Sequence, residues 1–171
     1  MSSYALINSP TFGQTYEILS LKAGTSAIAG VADGTVAPNI VFPLRNAADT
    51  ANLSLSLPIG VYSIQMLCAL NGTVNTTVIP VSQQLLIDVD DGSVLASGRS
   101  ICATTATNTT YGDTIILSDT VVLHLDVARN ITFKVMSNPI TNQVNIMGTS
   151  AFGPAGSQTV TTPRLTAVKI L

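Results

Sequence analysis

Leu53-Ser54-Leu55-Ser56-Leu57-Pro58-Ile59-Gly60-Val61-Tyr62-Ser63-Ile64-Gln65-Met66-Leu67-Cys68 is the run that decides the fold. Leu53, Leu55 and Leu57 alternate with Ser54 and Ser56, and beyond a Pro-Ile-Gly break Tyr62, Ile64, Met66 and Cys68 share one face. Successive side chains of a strand point to opposite faces, so a period of two marks strands with one side in a core. Further along the chain the same period returns. Val121, Leu123, Leu125 and Val127 stand against Val122, His124, Asp126 and Ala128, and Ile131, Phe133 and Val135 against Thr132 and Lys134. Leu85, Ile87 and Val89 likewise stand against Leu86, Asp88 and Asp90. A period of 3.6 is hard to find.

Turn residues separate these runs: Pro58-Ile59-Gly60, Asn71-Gly72, Asp90-Asp91-Gly92, Tyr111-Gly112-Asp113, Ser137-Asn138-Pro139 and Gly153-Pro154-Ala155-Gly156. Asp91-Gly92, between Leu85–Asp90 and Ser93–Gly98, predicts a two-residue hairpin, because both positions tolerate positive φ. About ten strands are expected. Many short strands with turns at such spacing read as a sandwich, jelly roll or barrel. Residues 22–38 are small and Gly/Ala-rich and read as a loop or an irregular edge strand. No linker, repeat or break in composition divides residues 1–171, so a single domain is expected.

Charge is the unusual quantity. Only 9% of the residues are Asp, Glu, Lys or Arg, against about 25% in an average soluble domain. Hydrophobic residues stand at 46%, so Thr, Ser, Asn and Ala have taken the place of charges. Such groups keep a surface wettable and are cheap to desolvate, whereas an ion loses several kcal/mol of hydration when covered. The composition suits a surface that a partner covers. The net charge of −2 comes without any Lys/Arg cluster, which speaks against direct nucleic-acid binding.

The opening residues Met1–Pro10 lack the charged and apolar regions of a signal peptide, and no apolar run approaches a membrane span. Cys68 reads as a core residue from its face-mates. A Cys68–Cys102 disulfide stays open, and a cytosolic setting disfavours it.

The inventory for chemistry is thin. His124 is the sole histidine, and Asp126 shares its strand face. A nucleophilic triad also needs a serine on a sharp turn, and no Gly-x-Ser-x-Gly element occurs. Asp88, Asp90 and Asp91 form the densest carboxylate cluster, but the spacing of a calcium loop and its closing Glu are missing. Phosphate-binding Gly-rich motifs and tryptophan are absent. The expectation is no enzyme, no cofactor and no metal.

Three short motifs carry a family resemblance. Leu57-Pro58-Ile59-Gly60-Val61-Tyr62 resembles the Pro-x-Gly-x-Tyr lead-in to an early core strand of C1q/TNF-like jelly rolls, with Pro58, Gly60 and Tyr62 as its marked positions. Gly112-Asp113-Thr114-Ile115 resembles the Gly-Asp-x-Val strand of that fold. The segment Thr162–Leu171, with Leu165, Val168 and Ile170, resembles the last strand that closes such domains in virus and phage structural proteins. The resemblance implies an all-β, single jelly-roll sandwich that forms a homotrimer, with one sheet facing its neighbours.

A non-enzymatic virion component is therefore expected: a minor capsid, cement, decoration or vertex protein. Its partners would be its own copies and other virion or capsid proteins, with no direct nucleic acid and no membrane span. Its place would be the virion, assembled in host cytoplasm or nucleus. A receptor-binding fibre head, a major coat protein, and a small carbohydrate-binding module or enzyme are the alternatives. The absence of a shaft-like repeat weighs against the first, and the absence of a basic arm against the second.

Overall fold

The computed structural model describes residues 12–22, 25–28, 40–72, 81–99, 101–102, 114–138, 144–147 and 162–171. Gly112 and Asp113 lie outside them. The described residues hold twelve strands: β1 (Thr15–Leu19), β2 (Thr25–Ile28), β3 (Ile40–Val41), β4 (Leu55–Leu57), β5 (Gly60–Gly72), β6 (Val81–Asp88), β7 (Val94–Ser97), β8 (Ile101–Cys102), β9 (Thr114–Leu125), β10 (Arg129–Asn138), β11 (Val144–Met147) and β12 (Arg164–Lys169). No helix occurs among these residues, and so none is long and apolar enough to cross a membrane.

Two six-stranded antiparallel sheets result. The first runs β1-β12-β5-β11-β2, with β9 along the other edge of β5. The second runs β3-β10-β6-β7, with β4 also on β10 and β8 also on β6. β5 is the axis of the first sheet. It pairs with β9 from Gly60↔Leu125 to Asn71↔Thr114, and its opposite edge takes β12 and then β11. The last strand thus lies inside the sheet, between β1 and β5.

The sheets meet through the alternation that the opening run displays. Tyr62, Ile64, Met66 and Cys68 are all fully buried, as are Leu117, Leu165 and Ala167 from the flanking strands. Leu57, Leu86, Ile131, Phe133 and Val135 close on them from the second sheet. The Tyr16 and Tyr62 rings meet edge-on at 6.0 Å, a favourable arrangement for aromatic quadrupoles.

The hairpin after β6 departs from its sequence reading. The strand ends at Asp88, not Asp90, and Val89 is exposed rather than part of a core row. Asp88 N donates to Ser93 O, and Gly92 N to Asp88 O, which closes a longer loop. Of the two expected turn residues only Gly92 has positive φ, at 74°. The cause is the Asp88 side chain, which is buried, pairs with Arg129 and accepts the Asp90 N–H at 2.9 Å. Holding that carboxylate inward bends the chain two residues early.

Candidate assembly surface

The lead-in to β5 is built around Tyr62. Its ring is fully buried, and its hydroxyl donates to the Pro58 carbonyl oxygen at 2.7 Å. Burial, and then the neighbouring Tyr16, push its pKa above the ordinary phenol value. Gly60 has φ 153°, and a Cβ there would stand 2.6 Å from Lys169 Cε and 3.0 Å from the Leu171 carbonyl oxygen. The chain end occupies that space. Val61 N donates to Leu171 O and Ile170 N to Val61 O, so backbone pairing continues past β12. Pro58 itself is exposed, Leu165 is core, and Val168 and Ile170 are half-buried. Pro58, Gly60 and Tyr62 therefore stand together with Ile170 at one end of the first sheet.

Side chains of the first sheet that point away from the core form a grid. The register places Thr15, Val168, Ser63 and Val122 in one row across β1, β12, β5 and β9. Glu17, Thr166, Gln65 and Thr120 make the next, and Leu19, Arg164, Leu67 and Ser118 the third. Val61 and His124 flank the first row, and Ala69 and Ile116 follow the third. These rows contain two full charges, Glu17 and Arg164. Val122 is 68% exposed and Ile116 55%, with Leu19 also exposed. The rows are sparsely charged, and Leu67 and Ala69 on β5 are buried, so the open part of the grid lies away from them.

The candidate chemical residues do not converge. His124 Nε2 lies 3.3 Å from Asp126 Oδ1, but both side chains are largely exposed and Asp126 has left the strand. The carboxylates near the β6 turn are held by Arg129 and by backbone N–H groups of the turn. Among the described residues no group of His, Cys, Asp and Glu is arranged to hold a metal ion. Cys68 is a free, buried thiol. Burial pushes its pKa up to about 12, with the charge of Asp119 contributing to the rise.

One polar cluster in the interior has no counterpart in the sequence reading. Asp119 faces the core from β9 and is 5% exposed. It accepts the Arg99 N–H at 3.1 Å, and the Arg99 guanidinium stands 3.8 Å away. The satisfied orientation of the Gln84 amide has its nitrogen donating to Asp119 Oδ2 at 2.8 Å and to Met66 O at 3.3 Å. Its oxygen is then free to accept the Cys68 S–H. The signal lay in the phase of β9, where Asp119 falls in step with Leu117 and Val121. Glu17 and Arg164 of the grid likewise have no counterpart in the sequence reading, and the phase of β1 and β12 would have found them, whereas Val122 stands there opposite Val121 and Leu123.

No protein-family model matches the chain, and no curated protein matches it. Among solved structures it is similar to the Eiger TNF of S. frugiperda, with a TM-score of 0.50, 9% identity and 92% of each chain covered. It is also similar to structures of infectious bursal disease virus. For the Gt strain the TM-score is 0.48 at 11% identity, with 100% of this chain and 42% of that chain covered. For the Gx strain it is 0.45 at 14% identity, with 92% and 36% covered. The chain thus spans less than half of the viral chains it matches. What the likeness to the Eiger TNF shows is the fold: an all-β jelly-roll sandwich of TNF-like form.

Proposed function

We propose that the chain is a non-enzymatic virion structural protein that assembles with its own copies, as a homotrimer, through the outward face of the first sheet. In this reading residues 1–171 are one jelly-roll domain, and the role is that of a minor capsid, cement, decoration or vertex component. The observation that carries it is the grid itself. Its three rows of four display exposed Val122 and Leu19 among Ser, Thr and Gln, with two full charges, and exposed Ile116 follows the third row. Covering such a face removes apolar area from water while few ions lose their hydration. A chain with 9% charged residues keeps that economy over its whole surface, which suits a subunit surrounded by neighbours. The sparse basic residues also favour protein partners over nucleic acid.

Light scattering on the purified chain across a concentration series tests assembly. The expected result is a species of three times the 17.7 kDa chain mass. A chain that stays at its single mass at every concentration overturns the reading. Quantitative mass spectrometry of purified particles then tests the virion role, with the chain expected at fixed stoichiometry to the shell.

A further inference from the structure

β7 is a thin part of the sandwich wall. It has four residues, pairs with β6 alone among the described residues, and its pairing shifts register between Leu86 and Ile87. Val94 is exposed, and only Leu95 and Ala96 lean on the core, both half-buried. Gly98 and Arg99 continue from the strand. The Gly98 N–H donates to Gln84 O at 2.8 Å, and Gln83 Nε2 donates to Gly98 O at 2.9 Å, so both bonds stay with β6. The bond that reaches the first sheet runs from the Arg99 N–H to Asp119 Oδ1, at 3.1 Å. The Asp119 carboxylate lies directly against Gly98, which brings no side chain to fill the seam.

From this arrangement we infer that Val94–Arg99 is a flap that opens and closes without unfolding the rest of the sandwich, and that the Asp119 carboxylate is its latch. Parting the sheets elsewhere would bare fully buried rows such as Tyr62/Ile64 and Phe133/Val135, with nothing returned. Lifting the flap bares two half-buried side chains, and it gives water back to a buried carboxylate. Segments with few buried apolar contacts lie at the low end of local stability. What keeps the flap shut is the charge-assisted bond to the Arg99 N–H, with the Gln84 amide steadying the carboxylate behind it. An open flap bares the edge of β6, whose backbone groups are then free to pair with a foreign strand. The latch therefore also guards that edge.

Amide hydrogen exchange, followed by NMR on the full chain and taken relative to intrinsic rates, tests flap and latch separately. The Gly98 N–H reports the opening, because its acceptor is the Gln84 carbonyl and a change at Asp119 does not remove it. In the wild type it is expected to exchange at least about 100-fold faster than the slowest amides of β5, with little dependence on low denaturant. Asp119→Ala is expected to quicken it about tenfold or more by the same denaturant-insensitive route. If circular dichroism shows that this variant does not fold, Asp119→Asn takes its place. It keeps an oxygen for the Arg99 N–H but not the charge, and a smaller quickening is expected. A Gly98 N–H as slow as the β5 amides, with their denaturant dependence, overturns the flap. A Gly98 N–H that is fast in the wild type and no faster in the folded variant overturns the latch. So does a quickening that takes on the denaturant dependence of β5.

Discussion

The Tyr62 hydroxyl donates to the carbonyl oxygen of Pro58, four residues back, at 2.7 Å. That bond ties the exposed Pro-Ile-Gly turn to the first fully buried ring of β5, and so fixes where the longest strand begins. Tyr62→Phe keeps the ring and leaves the Pro58 carbonyl without its donor. A loss of about 1–2 kcal/mol is expected. Denaturant unfolding with an unchanged slope checks it.

Gly60 sits where the last residues of the chain cross the start of β5. An alanine there combines an unfavourable φ of 153° with a methyl group 3.0 Å from the Leu171 carbonyl oxygen. Lys169 can swing its far end aside, but the backbone oxygen must shift. Gly60→Ala is expected to cost about 1–3 kcal/mol by thermal or chemical unfolding.

Gly98 makes room for a buried ion. A Cβ at that position would overlap the Asp119 carboxylate and stand 2.9 Å from Asp119 Cβ. Gly98→Ala should dislodge the carboxylate from the Arg99 N–H and from Gln84, at a cost of about 2–3 kcal/mol. In an Asp119→Ala background the same change is expected to cost less, because the obstacle is gone. Unfolding of the four combinations reads the coupling.

Cys68 supplies a pH dependence. Its folded pKa of about 12 lies above the ordinary 9.0, so the folded state holds the proton more tightly than the unfolded chain does. The contribution to stability is whole below pH 9 and is lost as pH rises through the folded value. Between those limits Cys68→Ala should lose stability less steeply than the parent chain. In a Cys102→Ser background, a thiol reagent near neutral pH is expected to modify Cys68 only after unfolding.

Much of this sandwich was legible because β4, β12 and the first half of β5 alternate in burial, although Leu67 and Ala69 of β5 and Leu85 and Ile87 of β6 are buried on the opposite face as well. The rows Tyr62/Ile64/Met66/Cys68 and Ile131/Phe133/Val135 read as core and are buried. The hairpin after β6 was not legible, since the ion pair that ends the strand joins Asp88 to Arg129, 41 residues away. Asp119 was not legible either. A carboxylate in a core row is tolerated only because Gln84 and the Arg99 N–H reach it, and neither contact is local in sequence. The proposed assembly surface was legible only as a composition. Placing it on β1, β12, β5 and β9 required the register of four strands from distant parts of the chain.

Val122 and Val94 offer matched probes of which face assembles. Val122 is 68% exposed on the first sheet, and Val94 is 55% exposed on the second. The light-scattering mass of Val122→Asp beside Val94→Asp and the wild type tests assembly through the first sheet most directly. The expected result is a single-chain mass for Val122→Asp and a three-chain mass for Val94→Asp and the wild type. A Val122→Asp chain that keeps the wild-type mass, or a Val94→Asp chain that loses it, would contradict the account.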